Sequence, residues 1–398
     1  MLICICSPFL SNAQYKKFAE IHLSATNLEN TEYRLDGPWE FYPFQLVRPN
    51  SPISSRSLVK LPHLWHLEGG STGFASYRTQ LILLNRKNPI QLSLYMPDVY
   101  SAYTLLINGE RAGTNGVVGT SRDQEQPHWL PQIINFTASG DTTEIIIHIS
   151  NFHHNKFGIG KPITISSSTL MISSVNQNHR MELILFIALC TMALFSLIVY
   201  VGVTTKQHVL LFFSLLCFSW AVRTAFSNNY LAVKWFSQLD WNWVVRVEYL
   251  TLYSTTLVGL FFVQEFYPED FNKRFRSFYL VSSALFSLVT IFTEPLFFTS
   301  LIDLYLAFSG LLIINIIIVL IRAFIQDRKG ILFIATCIFI GACLFGYLIF
   351  SYENLMSFSS WLFNISFMMI FISCSFALWL KFKPIIMDKS LNIKSRTI

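Results

Sequence analysis

The chain has 398 residues, 53% of them hydrophobic and only 13% charged, with a mean hydropathy of +0.46. A soluble domain keeps roughly a quarter of its residues charged, so this composition excludes an ordinary enzyme standing alone in water. The formal charge of +6 is no nucleic-acid signal, because residues 14–179 hold 13 Lys/Arg and 12 Asp/Glu and the excess lies around the apolar second half.

The N-terminus opens with an apolar run, Leu2 to Leu10, followed by Ser11-Asn12-Ala13. Small residues at Ser11 and Ala13 suit signal-peptidase cleavage, so residues 1–13 read as a signal peptide. No Lys or Arg precedes the run, which suggests that the signal begins upstream of Met1. Seven cysteines are present, none between Ser7 and Leu189, so the front of the chain has neither a disulfide nor a thiolate metal site.

Residues 30–170 read as β-rich. Runs dense in Leu, Ile and Tyr (Ser76–Leu84, Ile90–Met96, Ala102–Ile107, Glu144–Ile149) alternate with breakers such as Asn108-Gly109 and Ser139-Gly140-Asp141. Ile145, Ile147 and Ile149 fall on one face of a strand. Asn108-Gly109 suits a type I′ hairpin turn, which needs positive φ at both central residues. Such a run of short strands predicts a two-sheet sandwich or jelly roll.

Five segments occur in order: LDGPWEF (Leu35–Phe41), LPHLW (Leu61–Trp65), GFASYR (Gly73–Arg78), LLINGE (Leu105–Glu110) and HISNF (His148–Phe152). Together they resemble the galactose-binding-like jelly roll at the N-terminus of family 2 glycoside hydrolases. Those hydrolases keep their catalytic carboxylates in a separate barrel, for which this chain has no room. Glycoside hydrolysis needs two carboxyl groups flanking the bond, and convergence of Glu40, Glu68, Glu110 or Asp98 does not follow from their spacing. His63, His66, His153 and His154 read as surface-loop histidines, with no ligand spacing around them. Gly158-Ile159-Gly160-Lys161 lacks the first glycine and the Ser/Thr of a phosphate loop. What the jelly-roll likeness does imply is a small-molecule site in loops at one end of the sandwich. Trp65, His66, Arg122, His128, Trp129, Asn151 and His153 are loop or strand-end residues of suitable chemistry, core packing being the alternative for each tryptophan.

After a linker at 171–181, residues 182–381 hold seven apolar spans, near 182–203, 207–227, 241–264, 276–293, 299–322, 330–351 and 357–380. Each approaches the ~20 residues needed to cross ~30 Å of hydrocarbon. Loops after the first, third and fifth spans, with the tail, carry twelve basic residues, whereas the other loops carry only Lys234. Basic loops stay cytoplasmic, so the β domain is expected outside and the tail, 382–398, inside. Arg223, Arg246, Glu248, Asp303 and Glu353 all lie toward the outer side, where they predict a polar layer coupling the bundle to the β domain. Arg246 and Glu248 project from different helix faces, and Arg223 with Glu248 is the expected interhelical pair.

RVEYL (Arg246–Leu250) and FYPED (Phe266–Asp270), behind a jelly roll and within seven spans, resemble the bacterial seven-transmembrane receptors with diverse intracellular signalling modules. That likeness implies a sensor in the inner membrane driving a cytoplasmic output. The chain departs from it after Lys381, where about seventeen residues leave no space for a kinase, cyclase or coiled coil. The sixth span also lacks the interior acidic residue that the likeness leads one to expect. Either the chain is a natural member without an output, a truncated gene product, or a receptor that works through a partner. The expected function is a receptor whose partners are lipid, an external small molecule of the carbohydrate or carboxylate class and a separate cytoplasmic signalling protein. No cofactor, metal or nucleic acid is expected. A transporter or membrane scaffold with a carbohydrate-binding domain is the alternative, but the charges sit at one face and no paired broken helices suggest inverted repeats. The seventh span has no lysine for a retinal Schiff base.

Overall fold

The computed structural model describes residues 19–49, 51, 56–65, 72–85, 89–202, 207–352 and 359–394. The signal peptide read at 1–13, His66 and Glu353 lie outside them. The first unit is all β, and it begins at β1 (Glu20–Ser24), ten residues before the expected boundary. A short helix, α1 (Ala25–Leu28), leads into β2 (Tyr33–Arg34), β3 (Pro38–Pro43), β4 (Ser57–Lys60), β5 (His63–Leu64) and β6 (Gly73–Leu84). There follow β7 (Ile90–Met96), β8 (Ala102–Ile107), β9 (Glu110–Asn115), β10 (Gln132–Ala138), β11 (Thr142–Asn151), β12 (Gly158–Ile159) and β13 (Thr164–Ser167).

One sheet runs β4-β3-β6-β11-β8-β9, with β1 pairing in parallel with the far half of β6; a second runs β10-β7-β13-β2. The two inner faces share one core: Trp39, Tyr77, Leu105, Ile145, Ile147 and Ile149 come from the first sheet, and Leu92, Leu94, Ile134 and Ile165 from the second. Period-2 alternation places Ile145, Ile147 and Ile149 there. Ile146 points the other way, yet it is buried as well, under Tyr42 and Val47. Trp39 buries its ring in the core and donates its indole N–H to the Leu35 carbonyl at 2.9 Å, which explains the LDGPWEF segment. The β8–β9 hairpin turns on Asn108 and Gly109, with φ of 51° and 87°, the paired positive values of a type I′ turn.

The second unit is helical: α2 (Ser168–Gly202), α3 (His208–Phe226), α4 (Leu231–Trp235), α5 (Trp241–Phe266), α6 (Lys273–Phe292), α7 (Pro295–Ser300), α8 (Ile302–Ile325), α9 (Ile331–Tyr352) and α10 (Ser360–Lys394). Among the described residues seven long helices match the seven apolar spans, and five of them are long and apolar enough to cross a membrane by length and composition. Of the other two, α5 carries Arg246, Glu248 and Glu265, and α9 is apolar over Ile331–Leu344. Large apolar side chains such as Phe195, Val201, Leu285 and Ile325 lie exposed along the helices. In water this would be far more apolar surface than a folded monomer leaves uncovered; against lipid it is the expected exterior.

No linker separates the two units. Residues 163–201 contain neither glycine nor proline, and the segment expected at 171–181 is the first part of the 35-residue helix α2, which leaves β13 directly. Ser93 donates to the Ser168 hydroxyl at 2.9 Å and Ser174 to Glu32 at 3.3 Å, fastening that helix to the β domain. Asp240 and Asn272 cap α5 and α6 by accepting from Asn242 N and Arg274 N. At the opposite end of α5, Lys381 donates to the carbonyls of Glu265 and Phe266 at 2.9 and 3.3 Å, and Arg328 pairs with Glu269 and Asp270. The FYPED turn is thereby held by α10 and the α8–α9 connection.

Candidate functional site

Where the end loops of the sandwich meet the bundle they enclose a cavity of about 240 Å³. The β domain contributes Asp98 and Tyr100 from the β7–β8 loop, Trp129 from the segment before β10, His154 and Lys156 from the loop after β11, and Lys161 beyond β12. The helical unit contributes Asn228 and Tyr230 from the α3–α4 turn and Glu248 and Tyr249 from α5.

The walls are largely aromatic. Trp129, 4% exposed, packs on Tyr230 with ring centroids 5.5 Å apart and on Trp241 at 5.7 Å. Tyr100 stacks on His154 at 5.2 Å. A Cβ at Gly160 would meet the Tyr100 hydroxyl at 2.5 Å, so only glycine lets that ring take its place.

The polar groups alternate in sign. Lys161 bonds Asp98 at 2.6 Å, and Tyr230 donates to the same carboxylate at 3.4 Å. Burial works against the charge of Lys161, but Asp98 and, more distantly, Glu248 and Glu182 outweigh it and raise its pKa. Lys156 shifts the other way: burial lowers its pKa, and the carboxylates of Asp303 and Glu248 only partly restore it. His154 is buried and its Nδ1 accepts the Lys156 main-chain N–H at 3.0 Å; burial first, then the Lys156 charge, bring its pKa down to about 3. It is therefore a neutral acceptor, not the surface histidine expected of it.

The loop carrying His154 and Lys156 is shaped by Asn151. Its amide donates to the carbonyls of His154 and Lys156 at 2.6 and 2.7 Å, and its oxygen accepts from His154 N at 2.9 Å. Beneath it the buried Glu125 carboxylate accepts from Ser150, Phe152 N and His153 Nδ1 at 2.6, 2.7 and 2.8 Å. Asn151 and His153 thus lie behind the cavity wall, and of the ligand candidates among the described residues only Trp129 lines it. His128 meets Asn115 at 2.5 Å beside that wall. Arg122 pairs with Glu294 at 2.5 Å on the exposed rim, a bridge from the β domain to the start of α7. Trp65 is elsewhere: it packs in the core between Phe41 and Phe157, 4.8 and 4.1 Å away, and has no access to this end.

The charged residues of the bundle divide into separate tasks. Arg223 reaches Glu248 through the main chain, donating to its carbonyl at 3.0 Å; the expected carboxylate pair is not formed. Arg246 donates to the last carbonyls of α6, those of Thr290, Ile291 and Thr293, and lies over the Phe298 ring. Asp303 sits exposed in the first turn of α8, where the helix dipole favours an acid. A second contact across the junction is Asn155 N to the Thr299 hydroxyl, 3.0 Å.

Asp98, Tyr100, Lys156, Lys161 and Tyr230 line the cavity with no local sequence pattern to mark them as site residues. Lys161 belongs to the Gly-Ile-Gly-Lys run, whose role here is to seat Tyr100 and pair Asp98 rather than to hold a phosphate.

A β sandwich fused to a multi-pass helical bundle, with a polar cavity at the seam, defines a membrane protein of sensory architecture. The chain belongs to the family described as 7TM diverse intracellular signalling, whose sequence profile matches residues 179–381. This is a membrane sensory receptor family. No curated protein matches the chain. Among solved structures the β domain resembles family 2 glycoside hydrolase sandwiches: a member from Bacteroides cellulosilyticus is 14% identical over 34% of this chain and 20% of its own, TM-score 0.28. Bacteroides uniformis beta-glucuronidase 2 gives 16% identity, 34% and 17% coverage and a TM-score of 0.28. A Ruminococcus gnavus b-glucuronidase gives 12%, 34%, 29% and 0.27. The chain spans less than a third of each of these proteins.

Proposed function

We propose that the chain senses a small molecule at the junction cavity and relays its presence through the helices to a cytoplasmic signalling partner. One observation carries this reading: the cavity is walled on one side by β-domain loops and on the other by Glu248 and Tyr249 of α5. A ligand that touches both units has different contacts when they separate or close, and that difference in affinity is what shifts a conformational equilibrium. Helix α5 runs from this cavity to the turn held by Lys381 and Arg328, so it links the site to the far end of the bundle. The uneven basic loops argue for the β domain outside the bacterial inner membrane and α10 ending in the cytoplasm. Trp129 is then a ligand-facing residue, Asn151 and His153 position the loop beside it, and Arg223, Arg246, Glu248 and Asp303 form the coupling layer.

Hydrogen exchange on the full chain in lipid nanodiscs, with and without small polar solutes, tests the relay. A bound solute should protect residues 98–100 and 154–161 and also change exchange at 266–271. Protection confined to the cavity would refute it.

A further inference from the structure

Cys217 of α3, Cys337 of α9 and Cys374 of α10 lie together in the core of the bundle, all as free thiols. Two of them touch. The Cys337 and Cys374 sulfurs are 3.4 Å apart, and Cys337 donates its S–H to the Ile370 carbonyl, one turn back along α10, at 3.3 Å. Both residues are buried, 6% and 5% exposed. A single thiol in an apolar span serves as a small hydrophobe. Two sulfurs in van der Waals contact across a helix seam are a different case. A disulfide of about 2.05 Å asks each sulfur to move by less than ~1 Å, a small χ1 rotation.

A neighbouring group supplies the reactivity. The thiolate is the nucleophile in thiol oxidation, and apolar surroundings ordinarily leave a buried cysteine inert. Tyr267, just past the end of α5, is 3% exposed, and its hydroxyl has no hydrogen-bond partner among the described residues. It belongs to the same buried cluster as the thiols, and Cys337 and Asp270 are the ionisable groups that bear on it. An uncommitted phenolic O–H beside Cys337 can donate to that sulfur as negative charge develops there.

We propose that Cys337 and Cys374 form a peroxide-reactive dithiol whose oxidation ties α9 to α10. Hydrogen peroxide suits the site because it is uncharged and little larger than water, whereas a bulky oxidant would have to part the helices. The Cys337 sulfur attacks one peroxide oxygen: an S–O bond forms, the O–O bond breaks, and the departing hydroxide leaves as water with the thiol proton. The Cys374 sulfur then attacks the sulfenic sulfur. The S–S bond forms, the S–O bond breaks, and the second hydroxide leaves as water with the Cys374 proton. Two electrons pass from the thiols to peroxide. The new bond lies seven residues, ~10 Å along the helix, from Lys381, which holds the carbonyls at the end of α5. Oxidation therefore fixes α10 beside α9 close to its grip on the FYPED turn. The site is separate from the junction cavity and independent of what binds there.

The test treats the reduced full chain in nanodiscs with hydrogen peroxide, blocks the remaining thiols with N-ethylmaleimide in denaturant and maps the peptides by mass spectrometry. The expected result is a disulfide between Cys337 and Cys374, reversed by dithiothreitol, with Cys190, Cys217 and Cys343 still alkylated. Cys374→Ser should leave Cys337 as a sulfenic acid that dimedone traps. Tyr267→Phe should slow disulfide formation ~10-fold or more without loss of thermal stability, the scale of one hydrogen bond to a charged group. Residues 265–271 should exchange more slowly in the oxidised chain. Should either variant fail to fold, mapping and exchange on the unmodified chain decide alone. Full alkylation of Cys337 and Cys374 after peroxide, or a disulfide from Cys374 to Cys217 instead, overturns the assignment. Exchange at 265–271 indifferent to the disulfide overturns the tie between oxidation and the turn.

Discussion

Arg223 and Glu248 meet through a guanidinium and a main-chain carbonyl, 3.0 Å apart, so that the one acid on the first half of α5 keeps its carboxylate for the cavity. Two neighbouring helices are thereby joined without consuming the group that faces the β domain. The same division recurs two residues earlier. Arg246 spends its donors on α6 carbonyls, and the two charged residues of RVEYL act in opposite directions around α5.

Arg246 serves as the C-cap of α6, where unsatisfied carbonyls gather and the helix dipole favours a cation. Arg246→Met should lower stability by about 1.5–3 kcal/mol, the range for hydrogen bonds from a charged donor. Thermal unfolding in detergent measures this. Arg246→Lys should recover part of the loss, since an ammonium keeps the charge but cannot reach all three carbonyls.

The junction should loosen in acid. His154 has its folded pKa depressed to about 3 from an ordinary 6.5, so folding disfavours its proton. Its contribution to stability is full above pH 6.5 and falls as the pH drops from there toward 3. At pH 5 the loss from this one group is about 2 kcal/mol, at ~1.36 kcal/mol per unit. Protonation also removes the acceptor for Lys156 N. The protection factors of amides 153–156, exchange rates taken relative to the intrinsic rate at each pH, should therefore fall between pH 7 and pH 5, and His154→Gln should flatten that dependence.

How much of this was legible beforehand depends on range. The Asn108-Gly109 turn and the alternation of Ile145, Ile147 and Ile149 are set by local backbone geometry, and both could be read directly. The seven helices follow from apolar length in the same way. The first turns of helix α2 look like a linker because the residues between Ser173 and Arg180 are polar, although nothing there breaks a helix. The cavity was hidden for a different reason. Asp98, Lys161, Tyr230 and Glu248 come from four separated segments, and no spacing rule brings them together. Trp129 and Trp65 show the limit most plainly: two tryptophans in similar loops, one at the seam and one in the core, distinguished only by tertiary packing.

Orientation can be read by labelling. Glu110 lies exposed at the β8–β9 hairpin and Gln326 exposed at the end of α8. With a membrane-impermeant maleimide on intact spheroplasts, Glu110→Cys should react and Gln326→Cys should react only after permeabilisation, the unmodified chain serving as background. The reverse pattern would invert the proposed topology.

Relay requires the β domain and the bundle to be energetically coupled through their aromatic seam. A double-mutant cycle of Trp129→Ala and Trp241→Ala measures that coupling, read as the opening free energy of amides 153–156 in native-state hydrogen exchange. The rings lie 5.7 Å apart edge to face, and such a pair should show about 1 kcal/mol of interaction beyond the two single losses. Single losses that simply add, within about 0.3 kcal/mol, would contradict it.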